Sequence, residues 1–132
     1  MRAHLAAMQA RLAPLDLPID RWAPEPHRVP PFLSLEAPSW DSDPDAPACD
    51  ASDAFWTSIR IRAAAGTPDG VSIILSNVRR LLPGPLAVAG RVASVAWTRS
   101  EFVAIDPDAT IPGTNRHPAY GVDTYTLTSQ PA

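Results

Sequence analysis

The sequence contains no lysine and a single cysteine, Cys49. Without lysine a Walker A phosphate loop is impossible. One cysteine excludes an intramolecular disulfide and gives no sign of an oxidising compartment. Cys49 stands among aspartates, which disfavour its thiolate. The histidines are few and scattered, at 4, 27 and 117, and nothing places them together. There is no Gly-x-Ser-x-Gly, no His-Glu-x-x-His and no Cys-x-x-Cys. Apolar runs are only a few residues long, against roughly 20 needed to span a bilayer. The net charge is −3, which does not point to a nucleic-acid binder. All eleven basic residues are arginine; with the abundant Ala and Pro this carries no functional reading.

What is present suffices for a packed domain. At 132 residues and 45% hydrophobic, with four tryptophans, the chain can bury a core, and residues 1–132 read as one domain. Its organising stretch is 54–82. Phe55, Thr57, Ile59, Ile61 and Ala63 alternate with Trp56, Ser58, Arg60 and Arg62, the period of a strand with one buried face. A helix follows: Thr67 as N-cap, Pro68 at its first position, Asp69 in the first turn. Val71, Ile74, Leu75, Val78, Leu81 and Leu82 form its apolar stripe. Arg79 and Arg80 suit the last turn, and Pro83 and Gly84 stop the helix.

Around this unit the remaining elements are shorter. Residues 2–13 read as an amphipathic helix rather than a signal peptide, with Leu5, Met8, Leu12 and then Leu15 inward and Arg2, Gln9 and Arg11 outward. His4 interrupts its apolar run. A soluble protein made in the cytoplasm is expected. Nine of the sixteen prolines fall between residues 14 and 47, so strands there must be short or at an edge. We expect one near Ile19–Trp22 and another over Pro31–Glu36, with Leu33 and Leu35 inward. Residues 37–53 read as a long acidic loop. Later strands are expected at Arg91–Arg99, with Ala93, Val95 and Trp97 on one face, and at Tyr120–Thr128. Glu101–Ile105 either continues the first of these or bends into another strand, and the tail from Ser129 is expected to fray. The class is therefore α+β: a mainly antiparallel sheet of about four to five strands carrying an N-terminal helix and one central helix, in the order α-β-β-β-α-β-β.

Two stretches draw functional interest. Asp41-x-Asp43-x-Asp45 resembles the start of an EF-hand loop, but Pro44, Ala46 and Ser52 stand where that loop needs a non-proline, a glycine and a bidentate glutamate. It reads as a charged loop, with no metal and no cofactor expected. Trp56, Arg60 and Arg62 share the strand face opposite Ile59 and Ile61, and Trp and Arg are favoured interface residues. That face is either exposed, meeting a partner, or covered from within the chain by the first helix, Trp22 or Trp40. Residues 36–53 carry six acids and no base, whereas residues 54–105 carry six arginines against Asp69 and Glu101. An acidic arm beside a basic body is complementary between copies, and such heterologous contacts close into rings when the rotation permits. The candidate interface is thus Trp40, Asp41, Asp43, Asp45, Trp56, Arg60 and Arg62. No catalytic residue is assigned.

The leading helix "HLAAMQARLAPLDLPIDRWAP", the strand "PPFLSLEA", the unit "FWTSIRIRAAAGTPDGVSIILSNVRRLL" and the closing "NRHPAYGVDTYTLTS" together resemble the tail terminator proteins of long-tailed bacteriophages, also called tail completion or minor tail proteins. The resemblance spans nearly the whole chain and implies a structural virion protein rather than an enzyme. It implies a homohexameric ring on the head-proximal end of the tail tube, assembled in the host cytoplasm. Its implied partners are other copies of itself, the tail tube protein and the head-completion or stopper protein of the connector. DNA would meet it only in passing through the lumen, and no membrane is involved. The acidic 37–53 segment would face the lumen or the tube. Another head–tail joining protein of the neck, or a small α+β ligand-binding module, remains the alternative.

Overall fold

The computed structural model describes residues 1–22, 28–37 and 54–132. Helix α1 spans Arg2–Leu12 and runs into a 3-10 turn at Ala13–Leu15. Strands β1 (Ile19–Arg21), β2 (Phe32–Glu36) and β3 (Phe55–Ala65) precede helix α2 (Pro68–Leu81). Strands β4 (Gly84–Leu86), β5 (Arg91–Ser100), β6 (Ala104–Ile105) and β7 (Ala119–Pro131) complete one seven-stranded sheet. Its order is β1-β2-β3-β7-β5-β4, with β6 added beside the start of β7. All pairings are antiparallel except β1 with β2.

The α+β class is as expected, but the strand count and order differ. Gly84, read from sequence as a helix stop, opens β4 at φ +116° after the helix has ended at Leu81. Glycine there serves both purposes, since an L side chain resists that backbone region. Two residues, Ala104–Ile105, suffice for β6, too few for a periodic signal. The tail does not fray: β7 runs to Pro131, and the Ala132 N–H donates to the Gly90 carbonyl at 3.1 Å.

The long strands β3 and β7 pair over eleven residues in register, from Phe55 with Ser129 to Ala65 with Ala119. On one face, Leu33, Leu35, Ile59, Ile61, Ala63, Val95, Tyr125 and Leu127 are buried beneath the helices. α2 lays Val71, Leu75 and Val78 onto them, and Leu82 beyond its end is buried as well. Thr67 caps the helix, its Oγ1 accepting from the Gly70 N–H at 3.1 Å. α2 reaches the sheet closely because Gly121 has no side chain. A Cβ there would lie 2.9 Å from Val71 Cγ1 and 3.0 Å from Leu75 Cδ1.

α1 buries Leu5, Met8 and Leu12 as its spacing predicts, and His4 with them. Its polar side chains are not idle. Gln9 Nε2 donates to the Ile19 carbonyl on edge strand β1, and its Oε1 accepts from Arg21. Arg11 donates to the carbonyls of Leu81, Pro83 and Pro85, the last on the opposite edge strand β4. Side chains two positions apart on a helix point to nearly opposite sides. α1 therefore bridges both edges of the sheet.

Candidate assembly surface

Among the described residues, the other face of the sheet carries no helix. Along β3 it presents Trp56, Ser58, Arg60, Arg62 and Ala64; across β7 it presents Tyr120, Val122, Thr124, Thr126 and Thr128. A bulge in β5 follows Trp97: Trp97 opposes Tyr125, yet Arg99 opposes Thr124. The extra residue turns both Thr98 and Arg99 outward. Thr98 Oγ1 and Thr126 Oγ1 are 2.8 Å apart on this face.

The face divides into two halves. Around Phe32, Ser34, Ala64, Val122 and Thr124 it is buried. At the other end it is open, and Trp56 is 73% exposed and Val92 57%. Trp56 opposes Thr128, and Thr128 opposes Ser94. Two apolar walls therefore flank a floor of small hydroxyl residues, enclosing an open hollow of about 370 Å³.

Trp56, Arg60 and Arg62 share this face, as the alternation predicts, but they do not act alike. Arg60 lies 3.8 Å from Glu36 and 3.9 Å from Glu101. Arg62 lies 3.8 Å from Asp106 and stacks over Tyr120 at 4.5 Å. The basic body is thus partly neutralised by acids of its own chain, through long, exposed pairs of small worth. Trp40, Asp41, Asp43 and Asp45 lie outside the described residues.

Sequence reasoning missed Phe102, which is 97% exposed in the bend between β5 and β6. The Glu101 N–H donates to the Val122 carbonyl at 2.9 Å, which holds this bend at the end of β7. Val103, the next residue, turns to the helix side, where its Cγ2 would be 3.3 Å from a Cβ on Gly121. Phe102 instead shares a surface with Arg99 and Tyr120. A lone aromatic between Glu101 and Val103 has no periodic signature, so only the bend reveals it.

Two polar clusters sit on the helix side. Asp123 is fully buried in β7 and receives Arg79 Nε at 2.7 Å and Arg79 Nη2 at 3.3 Å. The Ser100 hydroxyl donates to the same carboxylate, and Arg79 stacks over Trp97 at 5.4 Å. The carboxylate raises the Arg79 pKa further. Burial, aided by the Asp123 charge, pushes the Tyr125 phenol up. Trp97 does share the face of Ala93 and Val95, as expected, but lies at its margin, 47% exposed.

The second cluster joins α1 to the sheet. His4 Nε2 is 2.9 Å from Ser129 Oγ, which also receives Arg91 Nε. His4 meets the Phe55 ring edge-on at 5.4 Å between centroids, and Arg91 stacks over Phe55. A serine beside a histidine invites a nucleophile reading, but among the described residues no third group completes it. His4 Nδ1 has no partner, so no acid orients the ring. Ser129 is buried, and its oxygen is held by an arginine donor. Burial, with the N-terminal ammonium and Arg91 adding to it, lowers the His4 pKa to about 4. The pair fastens α1 to the sheet.

No family model matches this sequence, and no curated protein aligns with it. Among the described residues, no helix is long and apolar enough to cross a membrane.

Proposed function

We propose that this chain is a structural assembly protein that works as a ring: a tail terminator of a long-tailed phage. Copies would sit at the head-proximal end of the tail tube, end its polymerisation and offer their other surface to the head connector. The observation that carries the reading is the open end of the sheet face, where Trp56 and Val92 stand exposed together. Exposed apolar groups clustered on one rigid face mark a protein–protein contact. The succession of elements, with a leading helix, a long strand feeding the central helix and a long closing strand, is the same texture that carries the sequence resemblance. Surface matching would be the mechanism: one ring face copies the contacts of a tube subunit, and the other does not admit another layer.

The test is the mass of the purified protein, alone and mixed with the tail-tube subunit of the same phage. A closed oligomer, alone or only at tube ends, is the expected result. A monomer indifferent to the tube overturns the reading. Recovery on filled heads that lack tails, rather than on tails, reassigns the protein to another position in the neck.

A further inference from the structure

We propose that helix α1 is a hinged strap: His4 latches its N-terminal half to the sheet, Gln9 and Arg11 pin its C-terminal half, and protonation of His4 opens the latch while the pins hold. The strap stands or fails independently of the ring reading above.

The two fastenings differ in chemistry. The pins run from Gln9 to the Ile19 carbonyl on β1 and from Arg11 to the carbonyls of Leu81, Pro83 and Pro85. Arg21 Nε donates to Gln9 Oε1 at 2.8 Å and so aims the amide. Gly84 leaves room for the guanidinium, since a Cβ there would lie 3.1 Å from Arg11 Nη2. Amides, guanidiniums and backbone carbonyls keep their charge in mild acid.

The latch has no place for a second proton. His4 is buried, and its Nε2 lies 2.9 Å from Ser129 Oγ on β7. From β5, Arg91 Nε donates to the same oxygen; from β3, the Phe55 ring meets the imidazole edge-on. The charges that act on the ring are the N-terminal ammonium of its own helix and Arg91, both positive. Protonation would set two cationic donors on one hydroxyl oxygen. It would also leave a buried N–H on Nδ1, which has no partner among the described residues. Lifting the first turns of α1 returns the imidazolium to water and removes both conflicts. His4 precedes Gln9 by five residues, about 8 Å of helix at about 1.5 Å per residue. Opening uncovers Leu5 and Met8, both buried when the latch is shut. The sheet keeps its own support: β3 and β7 pair over eleven residues, and Arg79 ties α2 to Asp123. The opening therefore stays local.

The test is hydrogen exchange of the full chain at pH 7 and pH 5, corrected for intrinsic rates. At pH 5 ordinary carboxylates remain charged, so the comparison isolates histidine. A ring that titrates at about 4 when docked and 6.5 when free loses on the order of tenfold in docking between these two conditions. The amides of residues 5–8 should lose protection by that factor, and those of β3 and β7 should not. His4→Gln, whose amide reaches toward Ser129 but takes no proton, should remove the pH dependence. His117→Asn, at an exposed histidine, should leave it unchanged. Equal loss along α1 and β7 makes the acid response global and overturns the strap. Unchanged protection of residues 5–8 at pH 5, or a loss that survives in His4→Gln, overturns it as well. Titration of the His4 ring by NMR reads the latch in the wild type, with no variant needed: an ordinary pKa of 6.5 in the folded chain overturns the proposal.

Discussion

His4 keeps its place only while it is neutral. Its ring is buried against Phe55 and Ser129, with Arg91 and the N-terminal ammonium nearby. Protonation would put a second N–H on Nδ1, which has no acceptor, and a cation beside two others. The folded pKa of about 4 lies below the ordinary value of 6.5, so between these two the unfolded chain binds more protons than the folded one. Stability from this residue is intact above pH 6.5 and falls as pH drops toward 4, by at most about 1.4 kcal/mol per pH unit. Urea midpoints at pH 7 and pH 5 should therefore diverge more in the wild type than in His4→Asn. Equal slopes would mean that His4 titrates normally. Asp123 is a different case, because its buried carboxylate is paired with Arg79. Removing the cation leaves that anion uncompensated, whereas neutralising the acid does not. Arg79→Ala should cost about 2–3 kcal/mol, below what breaking a fully buried pair costs because the arginine is 40% exposed. Asp123→Asn should cost less, and the reverse order in denaturant titration would show that the pair is not what holds α2 to β7.

At the scale of elements, what is absent from a side chain matters as much as what is present. Gly121 lets α2 sit directly on β7, and alanine there must push Val71 and Leu75 apart. Gly121→Ala should destabilise by about 1–3 kcal/mol through overpacking, read as a lowered thermal midpoint with unchanged far-UV spectrum. Arg11 supports a different device. It covers carbonyls at the β4 edge, where Pro85 also discourages pairing with a further strand. Arg11→Ala should expose that edge and raise aggregation on mild heating, while Arg2→Ala, on the same helix, should not. Both features show what periodicity can and cannot reveal. The alternation in Phe55–Ala65 and the stripe from Val71 to Leu82 place β3 and α2 with little error, because burial on one face imposes a repeat on the residues. β4 and β6 are two or three residues long, and pairing alone defines them. His4 breaks an apolar run by its chemical type yet completes the buried stripe by its position. Gln9 and Arg11 read as solvent-facing because the spacing of a helix says nothing about what lies beside it. Of the candidate surface, the Trp56 face follows from alternation, whereas Phe102 depends on a bend and has no repeat to announce it.

For the whole molecule, the question is which force would join copies. The uneven charge of the sequence favours an electrostatic seam between an acidic arm and a basic body. The described arginines weaken that expectation: Arg60 and Arg62 already face Glu36, Glu101 and Asp106, and Arg79 is committed to Asp123. Among the described residues, the outer surface also exposes large apolar side chains: Trp56, Val92 and Phe102. The two kinds of seam respond oppositely to salt. Raising ionic strength from about 0.1 M to about 1 M shortens the screening length from about 10 Å to about 3 Å, which dissolves contacts between exposed charges. Burial of apolar surface is not screened. The oligomer should therefore keep its mass across that range by light scattering and lose it on Trp56→Ser at either salt. Dissociation of the wild type in high salt, with Trp56→Ser still assembled in low salt, would move the seam to the charged residues. Charge reversal at Asp41, Asp43 and Asp45 separates the two once more: it should leave an apolar seam intact and abolish an electrostatic one.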